Sequence, residues 1–138
     1  MSIDTKELLN KLSTTDDIQK FLIDYNAEFI ALDPIEFMNE VFVKKDMSLA
    51  EVSRKSGQGE YVYKVFKGER KPSRDVLIAI AIGMQMSINE IQLLLRISKY
   101  AALDPRNKRD SIIIYSLKES HTVAQTNDLL YELSEQTL

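Results

Sequence analysis

Between Met47 and Asp75 the chain reads MSLAEVSRKSGQGEYVYKVFKGERKPSRD, a stretch that few folds can accommodate. Ser48 and Glu51 stand three apart ahead of an apolar-spaced run. The serine oxygen can accept from the Glu51 amide while the glutamate reaches back, a capping box that starts a short helix at Leu49. Gly57, with Gly59 close behind, interrupts the pattern after about two turns. A second short amphipathic run follows, with Tyr61, Val62, Val65 and Phe66 on its inner side. Gly68 is placed to close that run as a C-cap, Pro72 forbids its continuation, and Ser73 is a good N-cap for whatever follows. The predicted layout is helix, tight turn, helix.

The flanks extend this layout. Asp33, Pro34 and Glu36 supply a cap, a proline at the first helical position and an acid in the first turn. The helix they open turns Phe37, Met38, Val41 and Phe42 inward and ends at Lys44, Lys45 and Asp46. From Arg74 to Met84 the apolar residues nearly encircle the predicted helix, as expected of one buried on most sides. Ser87 and Glu90 form a second capping box, opening a helix with Ile88, Ile91, Leu94 and Leu95 inward. Five helices thus fall within residues 34–97. Upstream, Ile3, Leu8, Leu9 and Leu12 suggest a short helix broken by Ser13, Thr14 and Thr15. Ile18, Phe21, Leu22, Tyr25 and Phe29 then mark one stripe of a second.

The segment GERKPSRD behind such a helix pair resembles the Xre or Cro/CI (lambda repressor-like) helix-turn-helix proteins. The tail, with LDPRNKRD, TNDLLYEL and a terminal leucine, is similar to a subgroup of these from low-GC Gram-positive bacteria. The resemblance covers about 34–138. It implies an all-α fold in which residues 34–97 form a five-helix helix-turn-helix domain. Residues 1–33 form an N-terminal helical arm, and residues 98–138 add a C-terminal helix pair on the same core. It also implies a bacterial transcription regulator whose partner is double-stranded DNA. The first helix of the pair would brace, and the second, at about 59–67, would read the major groove. Carried onto this chain, Gln58, Gly59, Glu60, Tyr63 and Lys64 face the bases, while Lys55, Lys67, Arg70, Lys71 and Arg74 contact phosphates. The chain departs from the family in the reading helix, where a glycine, an acid and two tyrosines replace the usual polar readers. The alternative is the same fold reused for protein–protein interaction, as in an antitoxin or adaptor.

Charge is distributed as a DNA-binding face requires. The net value is −3, but residues 1–43 carry nine acids and three bases, 44–74 four acids and nine bases, and 75–138 eight acids and six bases. The positive charge is concentrated on the helix pair. The acidic arm reads either as a hairpin docked on the core or as a surface for a protein partner. With no cysteine and one histidine the chain offers no thiolate or His-rich metal site, and no cofactor is implied. No nucleophile elbow, phosphate loop or HExxH occurs, so no enzyme is expected. The longest apolar run, Val76 to Met84, falls far short of the roughly 20 residues of a membrane span, and the chain opens without a charged-then-apolar leader. A soluble, cytoplasmic protein is expected.

A weak internal repeat organises the remainder. Shifted by 35 residues, RDVLIAIAIGMQMSINEIQLLL lies over RDSIIIYSLKESHTVAQTNDLL. Arg74 matches Arg109, Asp75 matches Asp110, and the cap pair Ser87 and Glu90 falls on Thr122 and Gln125. Ile112 to Tyr115 alone could be a buried strand; the registry predicts a helix. The joining segment, RISKYAALDPRNKRD, reads either as a solvated linker with Asp104 and Pro105 starting a helix, or as an accessory basic cluster of Arg106, Lys108 and Arg109. Leu129, Leu130, Leu133 and Leu138 either close the core or leave an apolar patch through which a homodimer forms. Phe66 is expected to be buried against the arm, near Phe21 and Tyr25.

Overall fold

The computed structural model describes residues 4–14 and 33–138. Among them the chain is entirely helical: α1 (Thr5–Thr14), α2 (Pro34–Lys44), α3 (Leu49–Ser56), α4 (Tyr61–Phe66), α5 (Arg74–Gly83), α6 (Ile88–Ile97), α7 (Lys108–Lys118) and α8 (Val123–Glu132). The stretch from Ile112 to Tyr115 is helical, as its registry with α5 requires. The helix expected over Ile18 to Phe29 lies outside the described residues, and α1 buries no side chain. No helix among the described residues is long and apolar enough to cross a membrane.

Three helix pairs turn on corners of one construction: Lys45–Ser48 joins α2 to α3, Met84–Ser87 joins α5 to α6, and Glu119–Thr122 joins α7 to α8. In each corner the second residue, Asp46, Gln85 or Ser120, takes a positive φ of 51°, 58° or 56°. The left-handed conformation costs a residue other than glycine about 1–2 kcal/mol. It lets two successive amides bond back into the helix just ended, as Gln85 N–H does to the Ile82 carbonyl and Met86 N–H to the Ala81 carbonyl, at 2.9 and 3.0 Å. The fourth residue then caps the next helix. Ser48 with Glu51, Ser87 with Glu90 and Thr122 with Gln125 are all reciprocal capping boxes.

The core sits around α5, where every residue from Leu77 to Gly83 is buried. Helices α3, α6 and α8 pack against it, and α7 closes the layer beside α6 and α8. The approach of α3 is close. A Cβ built on Gly83 would stand 2.7 Å from the Ser56 amide nitrogen and 2.9 Å from its Cα, both backbone atoms that cannot swing aside. Val52, Val62, Val65, Ile91, Leu94, Leu95, Ile113 and Leu130, each at most 1% exposed, complete the interior.

Ile88 departs from the predicted packing, and Phe21 and Tyr25, the neighbours expected for Phe66, lie outside the described residues. Phe66 is half-buried, its ring 5.9 Å from that of Phe42. Ile88, expected to face inward, is 36% exposed at the first residue of α6.

Gly83→Ala should destabilise the protein by up to about 2 kcal/mol in a denaturant titration. Overpacking costs about 1–3 kcal/mol, toward the upper end where the atoms met are backbone, against a gain of about 1 kcal/mol from replacing a helical glycine. Glu90 supplies a pH-dependent counterpart. Burial alone would raise its carboxyl, but the Ser87 amide it accepts from and the Lys45 ammonium 3.5 Å away outweigh burial and hold it below the ordinary value. A carboxyl lowered on folding contributes stability that is present above the unfolded carboxylate pKa and lost as pH falls through the folded one. Thermal midpoints followed downward from neutral pH should therefore fall less steeply in Glu90→Gln than in the parent.

Candidate nucleic-acid interface

Helix α3 ends at Gly57, whose φ of 72° turns the chain sharply. Gly59, at φ 59°, turns it again, and its amide bonds the Ser53 carbonyl at 3.2 Å. From there the chain winds into α4 through i→i+3 bonds: Tyr61, Val62 and Tyr63 donate to Gln58, Gly59 and Glu60. The regular part of α4 is six residues long. It is thus shorter than the predicted 59–67, because Gln58 to Glu60 form the tighter turn that leads into it. The far end closes on Gly68 at φ 76°, with Gly68 N–H bonding Val65 O and Glu69 N–H bonding Lys64 O at 3.0 and 2.9 Å.

The two sides of α4 differ sharply. Val62 and Val65 are 0% and 1% exposed. Glu60, Lys64 and Lys67, at i, i+4 and i+7, form an exposed stripe beside the exposed Gly59, with Gln58 and Tyr63 half-buried at its margin. Glu60 occupies the N-cap position of α4, yet its side chain makes no capping hydrogen bond. Lys44, Arg54, Lys55, Lys64, Lys67, Arg70 and Lys71 are all exposed, and none pairs with a carboxylate among the described residues. The loop behind α4 is held from two directions. The Tyr61 hydroxyl donates to Lys71 O at 3.5 Å, the Tyr100 hydroxyl donates to Pro72 O, and the Lys71 ammonium lies 5.5 Å from the Tyr100 ring centre.

Arg74 has a different role from the expected phosphate contact. Its Nη1 and Nη2 meet the two oxygens of Asp110 at 3.3 and 3.0 Å, while Nε and Nη2 donate to the carbonyls of Ala101 and Ala102. Four of the five N–H groups of the fork are thus engaged within the protein. Arg109, expected in the accessory basic cluster, makes the reciprocal pair: its Nη1 and Nη2 reach the oxygens of Asp75 at 2.9 and 3.1 Å. Its remaining donors hold the carbonyls of Gln136 and Thr137. The matched positions of the repeat are thus cross-paired, the arginine of each copy with the aspartate of the other. Lys108 donates to Leu133 O at 2.8 Å and stands 3.7 Å from Glu135. Of the accessory cluster, Arg106 alone is left fully outward, at 91% side-chain exposure beside Asp104.

The joining segment begins its helix later than Asp104 and Pro105 suggest. The Asp104 carboxylate accepts from Arg106 N–H in a local turn, and Asn107 caps α7 by accepting from Asp110 N–H at 2.9 Å. Gln92 fastens the segment by exchanging two hydrogen bonds with the Leu103 backbone. Of the four tail leucines, Leu130 is 0% exposed, Leu129 and Leu138 pack against the core, and Leu133 alone is exposed. Leu129, Leu130 and Leu138 thus help close the core, while Leu133 stays outward on the same helix pair as the exposed Tyr115 and Tyr131.

No family model matches the chain, and neither a curated protein nor a solved structure matches it.

Asp110→Ala should cost about 2–4 kcal/mol, because it leaves the part-buried Arg74 guanidinium without its counter-charge. A double-mutant cycle on Arg74 and Asp110 should return a coupling of about 1–3 kcal/mol, whereas Arg106 and Asp104, both solvent-exposed, should return under about 0.5 kcal/mol.

Proposed function

We propose that the chain is a sequence-specific DNA-binding transcription regulator of the Xre, lambda repressor-like type, with α3 bracing and α4 entering the major groove. The observation that carries this is the seven exposed cations, paired with no carboxylate among the described residues, on and around two short helices whose outward side is polar. In this role Lys64 donates to guanine O6 and N7, Gln58 pairs with adenine, and Glu60 accepts from cytosine N4. Gly59 lets the backbone approach the base edges, and Tyr63 lies along the groove wall. Lys55, Lys67, Arg70 and Lys71 neutralise phosphates, which adds affinity and register without sequence information. Arg74 and Arg109 take no part, their donors being committed within the protein. Two copies on half-sites about 34 Å apart would enlarge the small contact of one reading helix.

One observation favours protein–protein interaction instead. Glu60, at the start of α4, makes no side-chain capping bond and no ion pair among the described residues, and a carboxylate there repels phosphate wherever cytosine is not opposite it. Salt dependence separates the two functions. With Lys55, Lys67, Arg70 and Lys71 on phosphates, log affinity for duplex DNA should fall with log salt at a slope of roughly −3 to −4. A flat response, or no binding at low salt, would favour the protein partner. On a site selected from a random duplex library, Lys67→Glu and Arg70→Glu should weaken all sequences alike. Lys64→Ala should also relax preference at one base pair by about 1–3 kcal/mol.

A further inference from the structure

Between the start of α2, the end of α4 and the end of α6 lies a cavity of about 300 Å³, at the lower end of the roughly 300–1,000 Å³ typical of small-molecule sites. Its floor is apolar, built from Ile35, Met38, Val65 and Leu77. Its rim is cationic: Arg70, Lys71 and Lys99 line it, are exposed, and pair with no carboxylate among the described residues. The one acid in the wall, Asp33, is already engaged, its Oδ1 accepting the Ile35 and Glu36 amides at 2.8 and 3.2 Å. Ser98 also belongs to the wall. It is 8% exposed, and its hydroxyl is the one fully buried side-chain polar atom among the described residues that lacks a hydrogen-bond partner. Buried polar groups are almost always satisfied, so an orphan beside a cavity marks a place where a partner is missing.

We propose that this cavity binds a small amphipathic carboxylate. Its apolar body would rest on the half-buried Ile35, Ile97 and Tyr100, and its charge would lie among Arg70, Lys71 and Lys99. The floor argues against a bare inorganic anion, which would gain nothing from apolar contact, and the unbalanced rim argues against a cation. Arg70 and Lys71 also belong to the proposed phosphate-binding set, which makes such a ligand and DNA competitors for the same two cations. Ligand binding itself is measured without DNA, so its failure and the failure of the DNA-binding function are separate results.

Calorimetric titration of the full chain with sodium decanoate, kept below its micellar concentration, tests the site. Saturable one-to-one binding is expected, about tenfold tighter than for decanol, since one charge-assisted hydrogen bond supplies about that factor. Lys71→Ala combined with Lys99→Ala should remove most of that preference. Ile35→Trp, which fills the mouth from a half-buried position, should abolish binding. Ser98→Ala should weaken binding while leaving the thermal midpoint of the free protein unchanged or raised. Should Ile35→Trp fail to fold, the two surface lysines still decide. Absence of saturable decanoate binding would overturn the proposal. Equal affinity for decanoate, decanol and decyltrimethylammonium would do the same, as would an undiminished preference for the carboxylate in the lysine variant.

Discussion

A helix with almost no polar side cannot lie on a surface, and α5 is such a helix. Leu77, Ile78, Ala79, Ile80 and Ala81 are each at most 1% exposed, so other helices have to enclose it. Burial of a leucine or isoleucine side chain is worth about 1.5–3 kcal/mol, which makes α5 the densest source of stabilisation in the chain. Its enclosure sets the position of α3. Gly83 permits the α3 backbone at Ser56 to approach to a distance that any side chain would forbid. With α3 held there, the Gly57–Gly59 turn directs α4 outward, and burial of Val62 and Val65 fixes which side of α4 meets solvent. The candidate reading face is therefore a consequence of packing around α5.

The crossed arginine–aspartate pairs address a separate problem, namely which register the tail adopts. Part-buried ion pairs add little net stability, because desolvation offsets most of the attraction. What they contribute is discrimination among alternatives. A slip of α7 past α5 by one turn, about 5.4 Å, would break both pairs together and leave four charges unpaired near the interior. Asp110 also accepts the Asp104 amide, and Arg109 holds the last residues of the chain, so the same two side chains that set the register anchor the segments on either side of α7 and α8. Basic residues near the candidate interface thus divide into two populations. One neutralises internal carboxylates; the other remains outward and available.

The sequence was legible wherever the physics is local. Capping boxes at Ser48, Ser87 and Thr122, the proline-led start of α2 and the encircled apolar pattern of α5 depend on residues within a turn or two of one another, and each marks its element in the structure. The 35-residue repeat even matched Arg74 to Arg109 and Asp75 to Asp110. That these residues exchange partners was not legible, because charge pairing across 34 to 36 residues is decided by how helices pack. Arg74 and Arg109 looked like surface cations for the same reason. The left-handed residues at Asp46, Gln85 and Ser120 were hidden because none is glycine. Their corners could have been found from the recurring spacing of an apolar or aromatic residue immediately before each cap: Met47, Met86 and His121. Gly83 gave no turn signal, since its role is a close approach within a helix.

Of the two populations of basic residues the outward one, the stripe on α4 with its surrounding lysines and arginines, carries the central claim. It is tested most directly by a nuclear magnetic resonance titration of isotope-labelled full-length protein with duplex DNA enriched by selection from a random library. Amide shifts are expected to cluster from Lys55 to Lys71, strongest around Gly59 to Lys64, with α7 and α8 unmoved. Unchanged spectra at low salt, or shifts confined to α7 and α8, would contradict it.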